Sequence, residues 1–457
     1  MQIPLVENIR ELDHAPARFL KFTAINVISW QCTVGPAMIL LARKIDMPPA
    51  WVGWLIAFMP LSMLLVVGTV PLVLRLGPKR LMMAAWMTRN ILTCGVFVMP
   101  LLIAKWGNES AWYLLLLTTL GFCLARAMGA GGWFPWLHEV VPSHQRGPFF
   151  SAEASLAQII SVIIIVSQAL ILIGDPGIER YLSIYAIGVL TGLVSVVWMY
   201  RVPGGGGAAT EINFVSSFYE YRIALQDRPY MIFIMVTVLS FSALAWLGSG
   251  MVMYMRDILG LSSNAIMFIT ASGSLGVFLT IRFWERFAEH SGSAMAIYKT
   301  LTAHSLVALA CLLLWPGAPW TIFLLVAIIM MGGIFAAAFW MLLHRAMLGY
   351  VQLEGRVGYT NIWTLGTAVA LGVTPILAGL VIQNFGMNGF RTCFLISGVG
   401  GLLCAIACLK TVHDSVPIER NAPQLFNAAF PVRTLFRIAW ITLGLHESNK
   451  KRKDTPA

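Results

Sequence analysis

Residues 319–343 read PWTIFLLVAIIMMGGIFAAAFWMLL, a continuous apolar stretch with no charged side chain. About 20 apolar residues at 1.5 Å each cross a ~30 Å hydrocarbon core as a helix. The stretch is long and unbroken, unlike the ~10-residue alternating segments of a membrane β-barrel. The rest of the chain has the same character: 457 residues, 58% hydrophobic and only 11% charged, with a mean hydropathy of +0.78. Soluble domains are about a quarter charged, and so little charge could not cover so much apolar surface in water. The chain therefore reads as an all-α polytopic membrane protein.

Working outward from that stretch, the hydropathy predicts twelve spans, near 19–42, 50–74, 79–104, 111–136, 149–173, 181–202, 229–255, 263–283, 294–315, 319–343, 358–384 and 388–410. The one long interior connection follows the sixth, so the division is six plus six. The expected organisation is an N-terminal segment 1–18, a first bundle 19–202, a linker 203–228, a second bundle 229–410 and a basic tail 411–457. The linker opens on Gly204 to Gly207 and continues FVSSFYEYRIALQD, which predicts an amphipathic surface helix. The tail's apolar stretch is broken by Pro431, Arg433 and Arg437, which predicts an interfacial helix rather than a thirteenth span. Residues 1–20 carry charges throughout and no small-residue cleavage site, so no removable leader is expected. The seven cysteines all fall in apolar runs without CxxC or metal-ligand spacing, and read as buried small hydrophobes.

Basic residues give the orientation. With both termini placed in the cytoplasm, fifteen lysines and arginines outside the tail fall on that side. Six (Arg43, Lys44, Lys105, Arg180, Arg256 and Arg391) fall on the other. The formal net charge of +11 is then an orientation label rather than a sign of nucleic acid. The two halves also repeat at a nearly constant offset. Gly35 with Arg43 matches Gly248 with Arg256, Gly77 matches Gly292, and Arg146 before Phe149 matches Arg356 before Tyr359. Parallel six-span repeats are one way in which secondary transporters are built.

Six spans, a central linker and six spans, over about residues 15–410, resemble the major facilitator superfamily. Its loop signature after the second helix of each half reads approximately G-x-L-A-D-R-x-G-R-R. The second half keeps Glu285-Arg286-Phe287-Ala288-Glu289-His290-Ser291-Gly292, with Glu289 where the acid belongs and Gly292 as the later glycine. The first half keeps Arg75, Gly77, Lys79 and Arg80, but Val70 and Leu74 replace the first glycine and the acid. YEYRIALQDRPYMIFIM and WLHEVVPSHQRGPFF also look like bacterial members of unassigned substrate. The fifth span lacks the Gly-Pro antiporter signature, and sugar-porter and ExxER peptide-transporter motifs are missing. The resemblance implies two pseudo-symmetric six-helix bundles, helices one, four, seven and ten around a central cavity, and a gate latched by the loop motifs. It also implies that gate control rests more on Glu289 than on the first half.

Polar groups at bilayer depth are costly, so each is a candidate. Arg126 lies roughly 16 Å into the ~30 Å core of the fourth span. Either it binds an anion in the cavity or it pairs with a carboxylate or helix carbonyls. Glu153 is the one acid within a span. It is either a proton-coupling carboxylate or a helix-start glutamate favoured by the dipole. Asn26, Trp30 and Gln31 on the first span could line the cavity or bridge helices. Trp246 and Ser249, Trp340, and Tyr359, Asn361 and Trp363 are candidates for the opposite wall. Arg89 with Asn90, and His304 one repeat later, read as structural, with loop acids as expected partners of Arg89 and a proton relay as the alternative for His304. Gly129 to Gly132 lacks the phosphate-loop lysine and reads as close packing or a hinge.

No nucleophile–base, cofactor or metal constellation appears, so no enzyme is expected. The expected function is a secondary transporter working by alternating access in a bacterial inner membrane. Two central arginines and scarcely any acid favour a small anionic or amphipathic organic solute, with protons as a candidate coupling ion and a monomer as the expected assembly. The alternative is a non-transporting scaffold or assembly factor on a transporter-like fold.

Overall fold

Hydrocarbon offers no partner to a backbone amide, so each apolar run closes its hydrogen bonds within itself as a helix. The computed structural model describes residues 9–174, 176–206, 214–352 and 355–412. Among them, twelve helical spans are long and apolar enough to cross a membrane: span 1 His14–Lys44, 2 Pro49–Thr69, 3 Pro78–Trp106, 4 Asn108–Ala130, 5 Ser143–Ile171 and 6 Ile178–Arg201. Span 7 is Arg228–Ile258, followed by 8 Ser263–Thr280, 9 Ser293–Leu313, 10 Thr321–Tyr350, 11 Gly358–Phe385 and 12 Met387–Thr411.

In the first half, spans 1 and 6, 1 and 5, 3 and 4, 3 and 6, and 2 and 4 pack together. In the second half the packed pairs are 7 and 12, 7 and 11, 9 and 10, 9 and 12, and 8 and 10. These are the same five pairings shifted by six spans. Span 2 packs on span 11 and span 5 on span 8, two interfaces that the pseudo-two-fold exchanges. The symmetry extends to single residues. Gly77 (φ 78°, ψ 148°) and Gly292 (φ 79°, ψ 157°) open spans 3 and 9 in one positive-φ conformation, which favours glycine.

Among the described residues, the halves share an apolar core at one end only. Between the spans' far ends, a single apolar core takes Met38 and Leu41 from span 1 together with Met255 and Ile266 from the second half. At the end carrying the linker there are two cores. One holds Phe19, Trp86, Trp136 and Phe149, the other Phe233, Phe339, Leu343 and Trp363. The contact between spans 2 and 11 is a backbone contact. A Cβ on Gly53 would lie 2.4 Å from the Pro375 carbonyl oxygen, and one on Gly379 2.5 Å from that of Pro49. Gly53→Val is therefore expected to destabilise the protein by about 1–3 kcal/mol, read as a lower melting temperature. An unchanged melting temperature would show that this interface is loose.

One element differs from expectation. Span 4 does not run to residue 136: its helix stops at Ala130 and a short helix restarts at Trp133–Val140. Cβ atoms on Gly131 and Gly132 would meet Thr69 Oγ1 at 2.2 Å and the Pro78 carbonyl oxygen at 2.7 Å, so the glycines bring this break against spans 2 and 3. The linker helix, Phe214–Gln226, forms where the sequence places it and packs one face on spans 7 and 11 while Tyr219 and Leu225 stay exposed, and Gly358 lets its backbone approach at Glu220. The tail helix expected within 411–457 falls outside the described residues.

Candidate functional site

Between the halves lies a cavity of about 830 Å³, within the usual range for small-molecule sites. Arg126 of span 4 lines it, and among the described residues no Asp or Glu does. The Arg126 guanidinium stacks over the Trp30 ring at 4.6 Å, and its Nη1 reaches the sulfurs of Met59 at 3.2 Å and Met63 at 3.3 Å. Pro60 sits inside the span 2 helix, and the chain tightens into a 3₁₀ turn at Met63–Thr69, the kind of local break that proline provokes. Both thioethers belong to that bend. Among the described residues Arg126 forms no ion pair, so the carboxylate and helix-carbonyl partners give way to soft, neutral ones.

The facing wall comes from spans 7, 10 and 11. Trp340, His344 and Trp363 form a ring-to-ring row, with centroids 5.2 and 5.3 Å apart, and Phe241 packs behind both indoles. Ser249, Thr364 and Thr367 add hydroxyls to the same lining. His344 lacks any motif. Its only signal is helical spacing, four residues after Trp340 on an apolar span.

A second space of about 460 Å³ joins the first through Trp30, Met63 and Arg126, and extends toward the linker end past Trp133 and Ala157. Asn26 and Gln31 line it and also bridge helices. Gln31 Nε2 donates to Ser161 Oγ at 2.9 Å. Asn26 Oδ1 accepts from Trp86 Nε1 at 3.0 Å and from Arg89 Nη2. Arg89 is fully buried, flanked by the Trp86 and Phe122 rings at 4.5 and 4.9 Å. Its Nε and Nη1 have no partner. The expected loop acids are not its partners, because span 3 carries it into the bundle.

Other candidates lie elsewhere. Trp246 packs half-buried on the far-end core and lines neither space. Tyr359 is buried at the linker end, where its hydroxyl donates to Asp227 Oδ2 at 2.6 Å. Asn361 Nδ2 donates to Tyr221 Oη on the linker helix at 2.7 Å, and burial pushes that phenol above its ordinary pKa. Glu153 is half-buried on span 5 and is not among the lining residues. His304 is buried inside the second bundle with Nδ1 unpartnered. In the first-half loop, Lys79 Nζ donates to the carbonyls of Tyr200 and Val202 at the end of span 6, a favourable place for a cation, while Arg75 and Arg80 are exposed. Glu139 accepts from the Gly205 amide at 2.8 Å. The Glu289 side chain lies outside the described residues. No group of three potential metal ligands occurs among the described residues.

The far end is clasped across the halves. Arg43 Nε binds Asp257 Oδ2 at 3.0 Å, and Arg256 Nη1 donates to the Leu40 carbonyl at 2.8 Å. These two arginines are equivalent in the repeat, and each reaches into the other half. A π-turn at Tyr254–Ile258 carries Arg256 and Asp257, a local irregularity often found at functional positions. Tyr181 with Ser263 (2.8 Å) and the Ala50 amide with Gln383 (3.2 Å) add two more crossings at the same end.

Residues 233–445 match the family model described as Major Facilitator Superfamily. A search of curated protein sequences finds no match. Solved structures of the same fold cover nearly the whole chain. The nucleoside transporter NupG is 14% identical with a TM-score of 0.62, covering 87% of this chain and 99% of its own. A bacterial homologue of the iron transporter ferroportin, in an inward-facing state, is 12% identical with a TM-score of 0.66, covering 87% and 98%. A D-xylose-proton symporter is 12% identical with a TM-score of 0.63, again covering 87% and 98%. Such low identities speak for the fold alone.

Proposed function

We propose that this chain, whose residues 233–445 match the Major Facilitator Superfamily model, carries a small organic anion across a bacterial inner membrane by alternating access. The family match and the transporter structures of the same fold support a transporter rather than an enzyme. The observation that carries the anion reading is Arg126, a cation in a central cavity lined, among the described residues, by no carboxylate. A charge at bilayer depth costs about 2.5–3.5 kcal/mol on insertion scales. An anionic ligand offsets that cost where Met59, Met63 and Trp30 offer only weak acceptors. The alternating-access reading is supported by the uneven joining of the halves. The far end shares one core and four crossings, while at the linker end the cores are separate. With the basic residues facing the cytoplasm, this is a state closed outside and open inside.

Reconstituted protein is expected to exchange labelled organic anions across liposomes, and Arg126→Ala to abolish that exchange. Robust accumulation of organic cations, unaffected by Arg126→Ala, would overturn the reading. We assign the coupled proton to Glu153, the acid within span 5. Glu153→Gln is neutral at every pH, so it should keep anion exchange but lose accumulation driven by a proton gradient. Unchanged accumulation with an unchanged pH profile would remove Glu153 from coupling.

A further inference from the structure

The cavity is polarised, and its polarity describes the ligand beyond its charge. The first-half wall donates, through the Arg126 guanidinium. On the opposite wall the hydroxyl and imidazole hydrogens are already engaged. Ser249 Oγ donates to the Ala245 carbonyl at 2.6 Å, Thr364 to that of Thr360 at 2.9 Å, and Thr367 to that of Trp363 at 2.9 Å. His344 Nδ1 lies 2.9 Å from the Trp340 carbonyl oxygen. A carbonyl only accepts, so Nδ1 carries the hydrogen, and in the neutral ring Nε2 keeps a lone pair. These four side chains offer a ligand lone pairs, while the Trp340 and Trp363 indoles supply flat π surface and the N–H donors that wall retains.

From this arrangement we propose that the cavity takes an aromatic or heteroaromatic monoanion whose far end bears a neutral O–H or N–H donor. The anionic group sits against Arg126, the ring against Trp340 and Trp363, and the donor on His344 Nε2. The inference rests on the transport reading above and narrows its substrate class. Charge decides between a neutral donor and an ammonium. Among the described residues no carboxylate lines the cavity, so an ammonium at the aromatic wall would be a second buried charge without a counter-ion. A neutral donor leaves one anion facing one cation. Ring shape decides between aromatic and aliphatic. The indole–imidazole row, its rings inclined at 37° and 69° to one another and backed by Phe241, presents both ring faces and ring edges, which suit edge or offset stacking.

The test is thermal-shift and calorimetric binding on purified full-length protein. The probes are para-hydroxybenzoate, para-methoxybenzoate, para-(aminomethyl)benzoate and cyclohexanecarboxylate, with the corresponding naphthoates to sample length. The hydroxy acid should bind about tenfold more tightly than its methyl ether, the value of one neutral hydrogen bond, and more tightly than the zwitterion or the saturated acid. His344→Phe should erase the preference for hydroxyl over methoxy, and His344→Gln, which keeps an acceptor, should retain part of it. Equal binding of the saturated acid, or tightest binding of the aminomethyl compound, would overturn the substrate class and leave anion transport standing. If no anion binds, and Arg126→Met changes nothing, the transport reading beneath it falls.

Discussion

Replacing Arg126 with methionine is expected to raise the melting temperature of the purified protein while abolishing organic-anion binding. Both effects follow from the same surroundings. The guanidinium has one indole face and two thioethers as partners. A cation over an aromatic ring contributes about 0.5–2 kcal/mol, against the 2.5–3.5 kcal/mol or so of carrying the charge at that depth. A third methionine side chain beside Met59 and Met63 removes the charge and keeps most of the volume, because an unbranched thioether adapts to irregular gaps. The expected gain is about 1–2 kcal/mol. The expected loss is larger. Truncating one partner of a buried charge pair costs about 2–5 kcal/mol, a fall in affinity of at least tenfold and up to several thousandfold. A residue that lowers stability and raises affinity is the signature of a binding site rather than of a structural arginine. A lower melting temperature with anion binding intact would make Arg126 a packing residue and remove the basis of the anion reading.

Arg89 has a different character. It is fully buried between Trp86 and Phe122 and bonded to Asn26, so it acts on the Asn26 amide rather than lining the cavity itself. Asn26 Oδ1 takes hydrogens from both Trp86 and Arg89, which fixes the side chain of a residue lining the space toward the linker end.

What the sequence makes legible follows from which forces are local. Hydropathy marks a span because a helix in lipid must satisfy itself, whatever surrounds it. Twelve spans, their grouping into sixes and the Gly77–Gly292 correspondence could therefore be read along the chain. Arg126 was visible because a charge in an apolar run is rare. The other half of its site was not. Met59, Met63 and His344 are unremarkable in a membrane helix until the Pro60 bend and the turn of span 10 bring them to one cavity. Tyr359 and Asn361 looked like wall residues, yet their partners Asp227 and Tyr221 stand 132 and 140 positions away in sequence. The linker helix draws them out of the cavity. Trp246 belongs to the far-end core for a similar reason: which face of span 7 meets span 1 is set by packing between halves. The repeat matched Arg43 with Arg256, but nothing local said that each would reach across the boundary.

That crossing sets up the second large effect. Asp257→Arg is expected to shift the protein toward a state open at the far end. Arg43 and Asp257 are only 20% and 22% exposed, so their attraction is less screened than the ~0–1 kcal/mol of a surface pair. Neutralisation with Asp257→Asn removes this attraction alone and should shift the equilibrium about tenfold or less. Reversal does more, because it places a third cation beside Arg43 and Arg256. Like charges brought together at an interface cost several kcal/mol, and about 5.5 kcal/mol carries a two-state equilibrium from 1:99 to 99:1. The shared core and the Arg256–Leu40 contact still resist opening, so a mixture of states is expected. Pulsed electron-spin distance measurements between labels at Glu109, exposed in the first turn of span 4, and Gly317, in an exposed turn of the second half at the same end, should show a longer-distance population in Asp257→Arg. The exchanged pair, Arg43→Asp with Asp257→Arg, restores one attraction of the original sign and should return the distribution toward that of the native protein. A destabilised fold would broaden the distances in both variants without recovery. An Asp257→Arg distribution identical to wild type would mean that the apolar core alone closes the far end, and that the paired arginines of the repeat hold no gate.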